Sequence, residues 1–157
     1  MKLRLASQDD LEIFMQLYED ASLDQVYIRD SSKASSNSSP CNEKEWLEAL
    51  QYKPKDFEKD VPKKYILMVE YKEKIIGCFR ISYISSGKCQ LGGWAIAPKY
   101  LEYKEMIWDT FLQFFSKHYK RIKEIEVVVP HFYPASISWF KAHGFSNPHP
   151  TCFRLHM

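Results

Sequence analysis

The stretch that decides the fold reads IEVVV at residues 125–129, followed closely by YPASISWFKAHGF at residues 133–145. The first run predicts a buried strand, because stiff β-branched side chains pack well on a pleated surface. The second run predicts a helix. Pro134 suits its first turn, and Gly144 is expected to end it in the left-handed conformation, with Phe145 packing back beneath.

The composition is that of an ordinary folded protein with little net charge. The chain has 157 residues, of which 45% are hydrophobic and 27% charged. These values predict one domain over residues 1–157. The net charge of +2, with lysines interleaved among glutamates, argues against a nucleic-acid partner. No segment has the ~20 apolar residues of a membrane span, and the N-terminus lacks the apolar run of a signal peptide.

The cysteine pattern predicts reduced thiols. Cys41, Cys78, Cys89 and Cys152 are scattered without Cys-x-x-Cys spacing, so the pattern supports no metal or redox site. Thiols of this kind stay reduced in a cytoplasm, which is the expected location. Cys78 and Cys89 stand in apolar strand patterns and are expected in the core.

The remaining patterns predict a mixed α/β protein. The strands are expected at residues 2–6, 65–71, 74–83, 89–97, 125–129 and 151–156. The helices are expected at residues 11–21, from residue 42 until Pro54 stops the helix, at residues 102–118, and from Pro134 to the cap at Gly144. Surface loops are expected at the serine-rich segment 31–40 and the charged segment 53–64. Only one strand is expected after Phe145. The C-terminal sheet edge is therefore predicted to be short, which is a reason for pairing with a second copy as a homodimer.

The Gly144-Phe145 ending and this order of elements resemble the GNAT superfamily (GCN5-related N-acetyltransferases), whose usual form ends Tyr-Glu-Lys-x-Gly-Phe. The resemblance covers nearly the whole chain in element order and the last third in motif. It implies an α/β fold with a mixed sheet splayed between the fourth and fifth strands. It also implies an N-acetyltransferase that moves an acyl group from acetyl-CoA, or another acyl-CoA, to an amine of a small molecule or a protein. The alternative is a catalytically silent domain that binds a ligand or a partner.

The resemblance also implies a cofactor site. In the family, the end of the fourth strand hydrogen-bonds the pantetheine arm, and amides at the following helix N-terminus bind the pyrophosphate. The corresponding residues here are Trp94, Ile96, Ala97, Lys99, Lys104, Glu105 and Met106.

The glycine-rich motif of that loop is not matched in this chain. Its positions, which the family fills with Gln/Arg-x-x-Gly-x-Gly/Ala, fall on Leu101, Lys104 and Met106. Nearby lysines supply positive charge, whereas Glu102 and Glu105 repel phosphate. The alternative interpretation is a capped core helix with solvated charges in its first turn.

Two residues are candidates for catalysis. An amine of pKa near 10.4 is mostly protonated at pH 7, so a base, and an acid for the departing thiolate, each help by roughly 10²–10⁴-fold. The family's helix tyrosine aligns with Phe140, which has no proton to give, and its asparagine aligns with Tyr133. Tyr133 and His131, at the end of the fifth strand, are therefore the catalytic candidates. The alternative is an aromatic turn whose polar tips lie in water.

Overall fold

A computed structural model of the chain describes residues 1–20, 65–85, 87–120, 122–129, 134–149 and 152–157. The strands are β1 (Lys2–Leu5), β2 (Tyr65–Tyr71), β3 (Lys74–Ser85), β4 (Lys88–Ile96), β5 (Glu124–Val128), β6 (Ser146–His149) and β7 (Cys152–His156). The α-helices are α1 (Leu11–Asp20), α2 (Lys104–His118) and α3 (Pro134–Ala142), and 3-10 helices precede α1 at Gln8–Asp10 and α2 at Pro98–Tyr103. The helix predicted between Asn42 and Pro54 and the loops predicted at 31–40 and 53–64 lie outside the described residues.

Seven strands form one mixed sheet in the order β1-β2-β3-β4-β5-β7-β6. Only β4 and β5 are parallel neighbours in this order, and the other adjacent pairs are antiparallel. In the described part of the chain, the β4–β5 pairing runs from Lys88 opposite Glu124 to Leu91 opposite Val127. It ends there, although β4 continues to Ile96. The sheet is therefore splayed between the fourth and fifth strands, as the resemblance implied.

A β-bulge lies on β4 directly after its paired segment. Ile81 of β3 pairs with Leu91, and Arg80 pairs with Gly93, so Gly92 has no partner on β3. A bulge bends its strand and increases the local twist. Its position therefore favours the separation of β4 from β5.

The helices cover both faces of the sheet. The larger core contains the buried residues Ile107, Trp108, Phe111 and Phe115 of α2 and Trp139 and Phe140 of α3, packed on one face. The smaller core contains Phe14 and Leu17 of α1 with Ala95 and Cys78 on the other face. Cys78 and Cys89 are fully buried, which confirms their predicted place in the core. Among the helices of the described residues, none is long and apolar enough to cross a membrane.

The end of α3 has the geometry that the sequence predicted. Gly144 adopts φ +84°, in the left-handed region that favours glycine. The Phe145 N–H donates to the Phe140 carbonyl at 3.1 Å, and the two rings are 4.9 Å apart. This turn directs the chain from α3 back to the sheet.

The prediction of a single strand after Phe145, and hence of a shortened C-terminal edge, is wrong. Ser146–His149 forms β6 and pairs with β7. Pro148 lies inside β6, where it is tolerated because β6 is the edge strand and has a neighbour on one side only. The two prolines at 148 and 150 hid the strand from a propensity argument. The sheet edge no longer gives a reason for a homodimer.

Candidate functional site

The candidate site begins at the end of β4, where the strand leaves β5. Residues 92–96 pair with no strand on the β5 side among the described residues. The backbone N–H and carbonyl groups along that edge can therefore form hydrogen bonds with a ligand. Trp94 is fully buried, and its indole N–H has no acceptor within the described part of the chain. An unpaired buried donor costs about 1–3 kcal/mol. The open backbone edge at residues 92–96 therefore suits a ligand arm that carries amide and carbonyl groups.

Aromatic rings join the end of β4 to the helices above it. The Trp94 ring lies 5.0 Å from Phe79 of β3, 5.4 Å from Trp108 of α2 and 5.1 Å from Trp139 of α3. Trp108 and Trp139 meet edge to face at 5.4 Å. This cluster fixes the strand end against α2 and α3.

The turn after β4 uses several of the backbone groups that the sequence assigned to a cofactor. The Ala97 N–H donates to the Ile76 carbonyl, and the Ala97 carbonyl accepts the Tyr100 N–H, both at 2.8 Å. The Lys104 N–H donates to the Leu101 carbonyl. The 3-10 helix thus runs into α2 and occupies amides that an open loop would present to an anion. Ala97 and Lys104 therefore offer a ligand less backbone than was predicted.

Glu105, in the first turn of α2, bonds to α3 across the site. Its carboxylate accepts the Trp139 indole N–H at 2.9 Å and lies 2.5 Å from His143 Nε2. The His143 ring stacks on Trp139 at 3.7 Å, and its Nδ1 lies 2.7 Å from the Trp139 carbonyl oxygen. Partial burial raises the pKa of the Glu105 carboxyl, but the hydrogen bonds from His143 and Trp139 outweigh it and lower the pKa. The carboxylate is therefore the favoured form.

Two lysines and a methionine complete this end of the site. Lys104 Nζ lies 5.8 Å from the Trp139 ring centroid, and Lys99 Nζ lies 5.1 Å from the Tyr100 ring centroid. Met106 is 48% exposed. The Lys104 charge lies near the Glu105 carboxylate and helps to lower its pKa, so the surface at the start of α2 is mixed in charge. Of the predicted cofactor residues, Trp94 and Ile96 are buried, and both belong to the larger core.

The catalytic candidates Tyr133 and His131 lie outside the described residues. Phe140 is fully buried and packs against Trp108 and Phe145, at 6.3 and 4.9 Å between ring centroids. The position that the family gives to a tyrosine is therefore a packing position here. The described residues contain no group of three or more His, Cys, Asp or Glu side chains placed to hold a metal ion.

The sequence argument missed Trp139 and His143. Their spacing of four residues puts them on one face of a helix, which is the signal the sequence offered. Their partner Glu105 lies 34 and 38 residues away, and no local pattern joins positions so far apart.

Comparison with known proteins places the fold. No family model matches the sequence, and no curated protein matches it. Solved structures do match over nearly the whole chain. The alanine N-acetyltransferase of a ribosomal protein from Escherichia coli is 13% identical, with a TM-score of 0.64 over 99% of this chain and 92% of that one. This chain has the GNAT fold.

Two further GNAT-fold structures agree with this assignment. The PaiA N-acetyltransferase from Thermoplasma acidophilum, solved in complex with coenzyme A, is 14% identical, with a TM-score of 0.65 over 100% of both chains. A chimera of the Vibrio cholerae spermidine N-acetyltransferase is 16% identical, with a TM-score of 0.63 over 95% of this chain and 82% of that one. At these identities the likeness concerns the fold.

Proposed function

We propose that the chain is a single-domain N-acetyltransferase that moves an acyl group from acetyl-CoA, or another acyl-CoA, to an amine. The observation that carries this proposal is the separation of β4 from β5 after Leu91 and Val127, within a seven-stranded sheet of the GNAT type. The open edge at residues 92–96 fits the pantetheine arm. The structural neighbours that are named as N-acetyltransferases of a ribosomal protein and of spermidine support an amine as the acceptor class.

The reaction sets two requirements for the protein. The amine nitrogen forms a bond to the thioester carbon, the carbon–sulfur bond breaks, the amine loses a proton and the sulfur gains one. A neutral amine is scarce at pH 7 because its pKa is near 10.4, so a base assists the attack. An acid near the sulfur assists the departure. Phe140 is not that acid, because its side chain has no proton to donate.

Tyr133 is the proposed acid, with His131 as the next candidate. Tyr133 directly precedes α3, which begins at Pro134, and follows the end of β5 at Val128. A phenol of pKa near 10 stays protonated at pH 7 and can donate to a thiolate as it forms. The family's usual acid position is occupied here by Phe140, which cannot donate a proton. The sequence therefore favours the Tyr133 hydroxyl as the acid.

Replacing Tyr133 with phenylalanine is expected to lower turnover at least tenfold, because it removes only the proposed proton donor. Thiol release from acetyl-CoA is measured with a panel of amines that includes a polyamine and a peptide with a free N-terminus. Tyr119→Phe, at the other end of α2, is the matched control and should keep the turnover of the unaltered protein. Equal turnover in the unaltered protein and Tyr133→Phe would contradict the assignment of Tyr133 and indicate water as the proton donor.

A second candidate function is a silent domain that binds acyl-CoA without transferring the acyl group. The burial of Phe140 at the usual acid position favours it. A thermal shift separates the two candidates when it is measured beside thiol release. Acetyl-CoA at 100 times its Kd should stabilise the protein by about 2.7 kcal/mol. A shift without thiol release across the panel favours the silent domain. No shift at millimolar acetyl-CoA contradicts both.

A further inference from the structure

The ring of His143 has a hydrogen-bond acceptor at each of its two nitrogens. Nδ1 lies 2.7 Å from the Trp139 carbonyl oxygen, and Nε2 lies 2.5 Å from Glu105 Oε2. A carbonyl and a carboxylate accept hydrogen bonds but cannot donate them, whereas a neutral imidazole carries only one N–H. Both contacts are therefore satisfied only when the ring carries both protons, as an imidazolium.

The immediate surroundings of the ring favour that charged form. His143 directly follows the end of α3 at Ala142, and the C-terminal end of a helix stabilises a cation. The ring stacks on the Trp139 indole at 3.7 Å between centroids, and the face of an indole attracts a cation. Partial burial raises the pKa of the Glu105 carboxyl, but the hydrogen bonds from His143 and Trp139 outweigh it and lower the pKa. Glu105 is therefore the ionised partner.

The other charges near the ring balance one another. The elements around it carry three cations and three anions, which are Lys99 and Glu102 of the 3-10 helix, Lys104, Glu105 and Asp109 of α2, and Lys141 of α3. In the described part of the chain, Glu105 is the one that contacts the ring. The direct contact, and not the general field, therefore decides the charge of the ring.

Loss of one ring proton affects the exposed side of this contact first. Nδ1 bonds within its own helix, whereas Nε2 reaches a side chain that is 61% exposed. A neutral ring that keeps its Nδ1 proton turns a lone pair toward the carboxylate, and an exposed carboxylate can turn to water. The same carboxylate accepts the Trp139 indole N–H at 2.9 Å. That hydrogen bond between α2 and α3 is then lost as well.

We propose that His143 and Glu105 form a pH-sensitive latch between α2 and α3, closed while His143 carries both ring protons and open once it loses one. The contribution of the latch to stability is therefore present on the acidic side of the His143 titration and is lost as the pH rises through it. Trp139, which the closed latch holds, contacts Trp94 at the end of β4. The latch lies beside the candidate site, but it does not depend on acyl-CoA.

The test follows Trp139 in the whole chain as the pH is raised from about 5 to 8, the range in which histidine changes charge. Nuclear magnetic resonance measures the hydrogen-exchange protection of the indole N–H groups and the titration of the His143 ring carbons. The protection factor of the Trp139 indole N–H is expected to fall at least about tenfold, with the midpoint of the His143 titration. The Trp108 indole N–H is the internal control, because Trp108 is buried, and its protection should stay within about twofold.

Three variants separate the latch from an unrelated effect of pH. In Glu105→Gln, the amide oxygen can accept the Trp139 N–H and the amide nitrogen can donate to a neutral His143 ring, so the fall in protection should disappear. His143→Gln removes the titrating ring and should abolish the fall as well. His156→Gln is the matched control, since it removes a histidine whose side chain is 74% exposed, and it should keep the full fall.

Constant Trp139 protection while His143 titrates would overturn the latch. A fall that persists in His143→Gln would also overturn it, and so would an equal fall at Trp108, because the change would then not begin at this contact. These measurements use no acyl-CoA, so each of these results would leave the proposed function standing.

Discussion

Replacing Trp94 with alanine is expected to lower the free energy of unfolding by about 3–5 kcal/mol. Trp94 is fully buried on β4 and its ring contacts Phe79, Trp108 and Trp139. Removing it leaves a cavity between the sheet and both helices, and the contacts of three rings are lost. Because a domain of this kind has only about 5–15 kcal/mol of stability, the variant should be close to unfolding at 37 °C.

Urea denaturation followed by tryptophan fluorescence and circular dichroism measures this loss. Ile13→Ala is the control, since Ile13 is a large apolar side chain of α1 that is 44% exposed. Its cost should stay within about 0.5 kcal/mol. A loss below about 1 kcal/mol for Trp94→Ala would mean that the aromatic cluster does not hold α2 and α3 on the sheet.

Replacing Asp10 with asparagine is expected to destabilise the protein by about 2 kcal/mol at pH 7. The Asp10 carboxylate accepts two hydrogen bonds from Arg4, at 2.7 and 2.8 Å, and one from the Ser7 N–H at 2.8 Å. Its side chain is only 7% exposed. These contacts connect β1 to the start of α1, and asparagine keeps the shape but loses the charge.

The same carboxylate predicts how stability depends on pH. The hydrogen bond from Arg4 outweighs burial and lowers the pKa of Asp10 below its usual 3.8. A lowered pKa contributes stability above the unfolded value, and that contribution is lost as the pH falls through the folded value. The difference between the unaltered protein and Asp10→Asn should therefore be constant from pH 7 to about 4 and shrink below it. A difference that grows on acidification would contradict the ion pair, and Asp9→Asn, an exposed neighbour, should show neither effect.

Much of the fold was predictable because its decisive steps are local. The β-branched run at 125–129 gave β5, and Gly144 with Phe145 gave the end of α3 (a positive φ followed by an apolar contact). The strands predicted at 65–71 and 74–83 leave Lys72 and Glu73 between them, and both residues form a turn with positive φ. In the helix predicted at 102–118, Ile107, Phe111 and Phe115 recur at a spacing of four residues and are fully buried, whereas Phe114 is half-buried.

The rest depended on contacts between distant residues. β6 was missed because its sequence, SNPH, has low strand propensity, and only its pairing with β7 makes it a strand. The contacts of Glu105 with Trp139 and His143 were missed because these residues are 34 and 38 positions apart in the sequence. The mismatch at Leu101, Lys104 and Met106 was visible in the sequence. The contact of Glu105 with α3 was not visible, because predicting it requires knowledge that α2 and α3 lie side by side.

The central claim is that the open end of β4 binds the arm of an acyl-CoA. Nuclear magnetic resonance of the labelled protein, titrated with acetyl-CoA, tests it most directly. The amides of residues 92–96 and the indole N–H of Trp94 should shift and saturate together, while the amides of Ser7 and Asp10 remain in place. If these resonances do not move at millimolar acetyl-CoA, or if saturable shifts are confined to β6 and β7, the claim is contradicted.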